Sequence, residues 1–220
     1  MTILALEFSS PQRSVAVLRT DCPAATAEAV ETGGQGTKAF GMVEQVLAEA
    51  KIEREQIDVV AVGLGPGSYT GVRAAISLAQ GLQLARAVKL LGVSSAECLV
   101  EQARMEKILG RVNVVIDAQR NEFYLAAYEV IPDGWRETRL LNILSLAEVQ
   151  SLAGTDGTLI GPEVTRWFPG GRNIFPRAAA LAGLAARRGN FVPGENLEPI
   201  YLRETNFVKA PARRPVASGS

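Results

Sequence analysis

The residues best suited to bind a ligand lie in a glycine-rich segment, 65–73. A β-branched apolar run precedes it and a helical pattern follows, so the sequence predicts a strand, a tight turn and a helix. The glycines can adopt positive φ, the proline fixes its own φ, and Ser68 or Thr70 can cap the helix. Backbone amides at such a helix N-terminus can hold an anion. The candidate residues of this glycine turn are Gly65, Pro66, Gly67, Ser68, Thr70, Gly71 and Arg73.

The glycine turn departs from two well-known phosphate-binding patterns. No Lys-Ser or Lys-Thr follows the glycines, which excludes a P-loop, and Thr70 stands where the dinucleotide-binding pattern has its third glycine. Two interpretations therefore stay open. In the first, the turn binds an anion with help from Arg73. In the second, it is a ligand-free connection between strand and helix, and Arg73 forms a salt bridge on the exposed side of that helix.

Two acidic side chains are further candidates for chemistry. Glu7 lies in the first predicted strand, and Asp117 ends the strand that opens the second half of the chain. As structural alternatives, Glu7 is a polar group beside the first hairpin and Asp117 caps a turn. The chain has no histidine. This excludes Ser–His and Cys–His nucleophile pairs, histidine-based zinc sites and an imidazole base, so any catalysis would rest on carboxylates, lysine or tyrosine.

Composition limits the remaining classes. The 220 residues fit one large or two small domains, and 47% hydrophobic residues can build a core. Cys22 and Cys98 cannot form a zinc site alone, so no metal site is expected. The opening residues alternate like a strand, unlike a signal peptide, and no apolar run has membrane-spanning length, so we expect a cytoplasmic protein without membrane contact.

Charge gives only a local signal. The formal net charge is zero, which predicts no general affinity for nucleic acid. From residue 160 onward, nine basic residues face four acidic ones, which indicates a solvated basic face or a weak RNA-facing patch. The basic residues are Arg166, Arg172, Arg177, Arg187, Arg188, Arg203, Lys209, Arg213 and Arg214.

The order of predicted elements is repeated along the chain. Each half opens with strands joined by short turns and carries an acid near the end of its first strand. This layout predicts an α/β protein of the duplicated actin/sugar-kinase/Hsp70-like fold, with halves 1–108 and 109–220 and a nucleotide cleft between them. Predicted strands are 2–8, 13–20, 24–30, 58–62, 89–93, 111–118, 122–130, 135–141 and 158–160. Predicted helices are 38–51, 72–86, 94–107, 144–152, 162–168 and 176–188.

Two of these helices point to a partner. The helix over 38–51 is strongly amphipathic, and the helix over 72–86 is apolar around more than half its circumference. A helix lying on a sheet needs a narrower apolar stripe, so the excess must be covered by another helix or by a second protein. The candidate interface residues are Val43, Val46, Leu47, Leu78 and Leu82.

Several segments, spread over nearly the whole chain, resemble one family. They are ILALEFS at 3–9, GPGSYTGVR at 65–73, AQGL at 79–82, GVSS at 92–95, IDAQRNEFY at 116–124 and PIYLR at 199–203. Together they are similar to the TsaB (YeaZ-type) family. The resemblance implies a non-catalytic bacterial subunit that binds TsaD, the enzyme that transfers a threonylcarbamoyl group to an adenosine next to the anticodon of tRNA.

The same resemblance also implies the other components of the complex and what each of them binds. A TsaE-type ATPase completes it, ATP and metal bind to the partner subunits rather than to this chain, and tRNA binds only through the complex. Without TsaD, the helical interface would serve self-association.

The chain departs from the related patterns at informative positions. TsaD-type enzymes carry a metal-binding His-x-x-x-His pair where this chain has Ser95 and Leu99, and neither side chain can replace an imidazole. Glu7 stands where the family usually has aspartate, which misplaces a carboxylate for phosphate chemistry. Lys38 and Ala39 replace a frequent His-Ser pair at the start of the first interface helix, which leaves the partner contacts there open.

Two enzyme classes are the alternatives. An actin-like ATPase or small-molecule kinase would use Glu7 and Asp117 around magnesium and phosphate. Its first hairpin, however, has no glycine to let amides approach phosphate, and EFY at 122–124 stands where kinases have a glycine-rich hairpin. A metallopeptidase is excluded by the missing histidines.

Overall fold

A computed structural model describes residues 1–22, 26–33, 38–153 and 157–202. The first sheet has the order β3-β2-β1-β4-β5. Strands β1 to β3 are antiparallel, whereas β4 and β5 run parallel to β1. The elements of this part are β1 (Thr2–Glu7), β2 (Gln12–Arg19), β3 (Thr26–Thr32), α1 (Ala39–Ala50), β4 (Val59–Gly63), α2 (Tyr69–Ala85), β5 (Lys89–Val93) and α3 (Ser95–Met105).

The second sheet repeats the first. Its order is β10-β9-β6-β7-β8, with antiparallel β6 to β8 and parallel β9 and β10 beside β6. Strand β6 therefore corresponds to β1, and the predicted duplicated α/β fold is confirmed. The elements are β6 (Gly110–Asp117), β7 (Glu122–Ile131), β8 (Gly134–Ser145), α4 (Leu146–Ala153), β9 (Thr158–Gly161), β10 (Arg172–Asn173) and α5 (Ala178–Ala186).

Two helices pack across the predicted division into 1–108 and 109–220. Helix α3 precedes the second sheet but contributes Leu99 and Val100 to the core beneath that sheet. Helix α5 follows the second sheet but packs on β1 and β2 of the first. Helix α5 itself carries alanine and leucine around its whole circumference, as expected for a helix that is covered on all sides. The two halves therefore share their cores through these helices.

Ion pairs reinforce this exchange and correct the interpretation of the C-terminal basic residues. Arg177 at the start of α5 binds Glu28 of β3 at 2.6 Å. Just after α5, Arg187 binds Glu101 of α3 at 2.9 Å, and Arg188 binds Glu97 of α3 at 2.9 Å. These three arginines neutralise the chain's own acids, so they do not form a free RNA-facing patch. The predicted basic residues Arg203, Lys209, Arg213 and Arg214 lie outside the described residues.

A few predicted elements were wrong. The helix expected over 162–168 is a single 3-10 turn, Val164–Arg166, because Glu163 adopts a left-handed backbone conformation (φ 54°) that no right-handed helix can include. Strand β8 continues to Ser145, which pairs with Glu122, so the next helix begins at Leu146 rather than at 144. The two-residue strand β10 was not predicted. No helix within the described ranges is long and apolar enough to cross a membrane.

Glu101 provides a test of the packing between α3 and α5. Burial alone would raise the pKa of this carboxyl, but hydrogen bonds from Arg104 and Arg187 lower it from 4.5 to about 2. A lowered pKa adds stability above the unfolded value of about 4.5, and this stability is lost as the pH falls toward 2. We expect Glu101→Gln to reduce the free energy of unfolding by about 3 kcal/mol at pH 7 and by much less at pH 3.

Urea unfolding at the two pH values measures this difference. Glu106→Gln, at the exposed end of the same helix, is the matched control and should change stability by less than about 0.5 kcal/mol. An equal loss of unfolding free energy for Glu101→Gln at both pH values would show that the shape of the side chain, and not its charge, explains the effect.

Candidate functional site

The glycine turn is fixed by hydrogen bonds within the chain. The Gly65 amide donates to the Ser95 hydroxyl at 3.1 Å, and the Ser68 amide donates to the Ser9 carbonyl at 2.6 Å. The Ser68 hydroxyl caps α2 by accepting from the Gly71 amide at 3.3 Å, so Ser68 and not Thr70 is the N-cap. Because these three amides already have partners, they do not form an anion-binding cradle.

Close backbone packing explains why the turn needs its glycines. Gly65 and Gly67 adopt positive φ, as the sequence predicted. A Cβ at Gly67 would lie 2.1 Å from the Ser9 carbonyl oxygen, and one at Gly71 would lie 1.9 Å from the Phe8 carbonyl oxygen. The start of α2 therefore rests directly on the backbone that follows β1. This direct backbone contact is what a connection between strand and helix requires, and the two interpretations of the turn, anion-binding or ligand-free, stay open.

Glu7 lies beneath this turn and is completely buried. Its carboxylate accepts hydrogen bonds from the Ser9 amide at 2.8 Å and from the Ser95 hydroxyl at 2.9 Å. Burial raises the pKa of Glu7, and the hydrogen bonds from Ser9 and Ser95 only partly oppose the shift. Ser95 thus links α3 to β1 and to the glycine turn. Glu7 acts as an internal anchor that is closed off from solvent.

A cleft of about 410 Å³ opens between the two sheets, where the duplicated fold predicted a nucleotide. Asp117 lies in its wall, but its carboxylate accepts from the Gln119 amide at 2.6 Å and thereby caps the β6–β7 turn. Glu7 is not part of the wall, so the structure does not bring the two candidate acids together. Among the described residues, no three His, Cys, Asp or Glu side chains are grouped to hold a metal ion.

A second, apolar depression lies between α1 and α2, and we call it the helix groove. It has a volume of about 210 Å³. Leu78 and Leu82 of α2 lie along it and are partly exposed, so both remain interface candidates. The residues that line the helix groove are Phe40, Val43, Glu44, Arg54, Glu55, Ile57, Val60, Leu78, Leu82, Ala85, Arg86 and Val88.

The other interface candidates need correction. Val43, Val46 and Leu47 are buried against the first sheet and belong to the chain's own core. A charge at Val46 would therefore test folding rather than partner binding. Phe40 of α1 is instead 73% exposed, and Leu84 of α2 is 90% exposed. The sequence analysis identified neither residue as an interface candidate. The available signal was that these large apolar residues lie outside the core-facing stripes of their helices.

Two glutamines of α2, Gln80 and Gln83, are covered by the C-terminal segment 191–201, which we call the strap. Gln80 donates to the Gly194 carbonyl at 2.8 Å, and the Gly194 amide donates to Gln83 at 2.9 Å. The strap also pairs with the edge of β5 through Val192 and reaches the glycine turn, where the Ile200 amide donates to the Leu64 carbonyl at 2.8 Å. The sequence analysis did not predict that this segment packs against α2.

Arg73 does not form the salt bridge that the sequence suggested as an alternative. Its guanidinium lies 4.3 Å from the centre of the Tyr69 ring, and the ring of Tyr201 from the strap stacks on Tyr69 at 5.4 Å. Within the part of the chain that the structure describes, no carboxylate pairs with Arg73.

The repeated sheets and the cleft between them define a protein of the duplicated actin-like fold class. A family model described as tRNA N6-adenosine threonylcarbamoyltransferase (TsaD) matches residues 37–179. The tRNA threonylcarbamoyladenosine biosynthesis protein TsaB of Escherichia coli (strain K12) is 32% identical over 179 residues, which cover 74% of this chain and 78% of that protein. The TsaB protein of Bacillus subtilis (strain 168) is 30% identical over 60% of this chain and 61% of its own length.

A solved structure agrees with these relatives. The structure described as YeaZ from Pseudomonas aeruginosa is 29% identical and superposes with a TM-score of 0.77, covering 91% of this chain and 99% of its own. The chain belongs to the TsaB (YeaZ-type) family.

Two glycines of α2 form a matched pair that tests the close backbone contact. A Cβ at Gly71 would collide with the Phe8 carbonyl, whereas a Cβ at Gly81 would meet no atom within 4 Å. We expect Gly71→Ala to lower the free energy of unfolding by about 3 kcal/mol because of overpacking. Gly81→Ala should raise it by about 1 kcal/mol because alanine favours the helix. Thermal unfolding of both variants decides this, and equal effects would contradict the packing role of Gly71.

The buried carboxyl of Glu7 predicts an unusual pH dependence. Because its folded pKa lies above the ordinary 4.5, the folded chain holds this proton more tightly than the unfolded chain does. The contribution of Glu7 to stability therefore falls as the pH rises from 4.5 through the raised pKa. We expect Glu7→Gln, which removes this titration, to gain stability relative to the parent chain between pH 4.5 and 8. A variant that becomes relatively less stable as pH rises would contradict this account.

Proposed function

We propose that this chain takes part in the biosynthesis of tRNA threonylcarbamoyladenosine as a non-catalytic subunit that binds a TsaD homologue. Family membership supports the pathway, since the curated relatives carry that name. The observation that carries the proposal is the orientation of α2. Its glutamines lie under the strap, while Leu78 and Leu82 line the open helix groove and Leu84 faces solvent.

This orientation departs from the usual amphipathic arrangement of a surface helix, because α2 also carries apolar side chains outside its core-facing stripe. A helix on a sheet normally buries its apolar stripe and exposes its polar residues. Here Val72, Ala75 and Ala79 are buried in the core, and the strap covers Gln80 and Gln83. The remaining apolar surface, together with Phe40 on α1, forms a patch of the kind that marks a protein interface.

The shape of this surface favours a partner that also offers helices. Ala74, Ser77 and Gly81 lie at helical spacing on the outer side of α2, between the groove-lining leucines and Leu84. Small side chains of this kind let a second helix approach closely. The TsaD family model matches 37–179, a range that includes both interface helices. A TsaD homologue with equivalent helices would therefore pair with α1 and α2 in a four-helix arrangement, and a second copy of this chain would take that place in its absence.

The absence of catalysis by this chain is part of the proposal. The buried state of Glu7, the turn-capping role of Asp117 and the internal hydrogen bonds of the glycine turn support it. In this scheme ATP, metal and the transfer chemistry belong to the TsaD and TsaE-type partners, and tRNA binds through the complex. The same observations speak against the actin-like ATPase or kinase, because its two carboxylates would have to meet in the cleft.

Charged substitutions on the exposed surface test the interface. We expect Leu84→Asp and Phe40→Asp to fold normally, because both side chains are largely exposed, and to weaken capture of the TsaD homologue at least about tenfold. The matched control is Leu140→Asp on β8 of the second sheet, where the side chain is 76% exposed.

Pull-down and sedimentation of the purified proteins measure this effect, with thermal unfolding as the check on folding. Unchanged capture by both variants would place the interface elsewhere. Loss of capture by Leu140→Asp as well would show a non-specific effect of the added charge.

A further inference from the structure

The stack of Tyr69, Arg73 and Tyr201 has no role in the proposed interface. Tyr69 begins α2, and Arg73 lies one turn further along, with its guanidinium 4.3 Å from the centre of the Tyr69 ring. Tyr201 stacks on the same ring with an interplanar angle of 25°. Tyr69 is 54% exposed and Tyr201 is 40% exposed. Two aromatic rings and a planar cation are thus held together at the surface.

This stack occupies a defined place in the fold. Tyr69 belongs to the wall of the cleft between the two sheets, together with Ser9, Ser10 and Gly67. Neither tyrosine lines the helix groove. A ligand on the stack would therefore extend along the rim of the cleft and leave the groove between α1 and α2 free for a protein partner.

We propose that Tyr69, Arg73 and Tyr201 form a contact site for single-stranded RNA, used when the complex with the TsaD homologue holds its tRNA; the inference rests on the proposed function. Unpaired bases stack on tyrosine rings and on arginine guanidinium planes, and arginine also binds the phosphates. A preformed stack lowers the conformational entropy lost on binding.

Charge and ring stacking together favour RNA as the occupant, because the Arg73 cation suits a phosphate and the tyrosine rings suit unpaired bases. No carboxylate of the described residues pairs with Arg73, so its full positive charge is available to a phosphate. The chain that follows Tyr201 in sequence is also basic, since residues 203–220 contain four arginine or lysine residues and one glutamate. The other C-terminal arginines near α5 are neutralised by Glu28, Glu97 and Glu101 and would contribute less.

A purely structural role for the stack is the competing explanation. The strap, however, is already held by Gln80 and Gln83 at Gly194, by the buried Leu197 and by the Ile200 amide. Its attachment therefore does not depend on an exposed ring pair. Among the described residues, Arg73 makes no hydrogen bond or ion pair with the strap, so its substitution separates the two explanations.

The experiment measures binding of a labelled anticodon stem-loop RNA to the complex of this chain with the TsaD homologue, by fluorescence anisotropy at several salt concentrations. We expect Arg73→Gln and Tyr201→Ala each to weaken RNA binding at least fivefold. Arg73→Gln should also reduce the slope of log affinity against log salt by about 0.7, the value for one contact to a single strand. Tyr201→Phe should bind like the parent, because it keeps the ring.

Controls separate this inference from the proposed function. Arg166→Gln is the matched control, because Arg166 lies over Trp167 at 5.5 Å on the other half of the chain and should not affect RNA binding. Capture of the TsaD homologue should stay within twofold of the parent in every variant.

RNA affinity within twofold of the parent for Arg73→Gln and Tyr201→Ala would overturn the inference while leaving the proposed function intact. Loss of TsaD capture in these variants would also overturn it, by showing that the stack binds protein. Failure of the unmodified chain to capture TsaD would instead overturn the proposed function.

Discussion

The structure depends on the close contact between the glycine turn and the backbone that follows β1. The absence of side chains at Gly67 and Gly71 lets α2 begin directly against the carbonyls of Ser9 and Phe8. Beneath this contact, the buried carboxylate of Glu7 joins Ser9 to Ser95 and so connects β1 to α3. These contacts fix the direction of α2, and the surface of α2 carries the proposed function.

The same contacts support the proposal that this actin-like fold acts as a binding subunit. Amides and carboxylates that could face a ligand in the cleft are used to hold elements of this chain together. Helix α3 packs on the second sheet and α5 packs on the first, which connects the two halves. The ion pairs of Arg177, Arg187 and Arg188 add further connections. The strap completes the arrangement, because it covers Gln80 and Gln83 of α2 and leaves Leu78, Leu82 and Leu84 uncovered.

Local patterns in the sequence predicted the repeated order of elements along the chain, the helices α1 and α2, the strand-to-helix turn and the cap at Asp117. Each of these features depends on residues that are close together in the chain. Contacts between distant residues were not predictable. The strap reaches Gln80 and Gln83 from far along the chain, and α5 crosses to the first sheet. For the same reason, periodicity alone could not distinguish Val46, which faces the chain's own sheet, from Leu78, which borders the helix groove.

Hydrogen exchange of this chain with and without its TsaD homologue tests the central claim most directly, because it reports every segment at once without substitutions. The account predicts slower exchange along α1 and α2 in the complex and unchanged exchange in β8, at the far edge of the second sheet. Protection confined to the cleft around Ser10 and Asp117, with α1 and α2 unchanged, would contradict it.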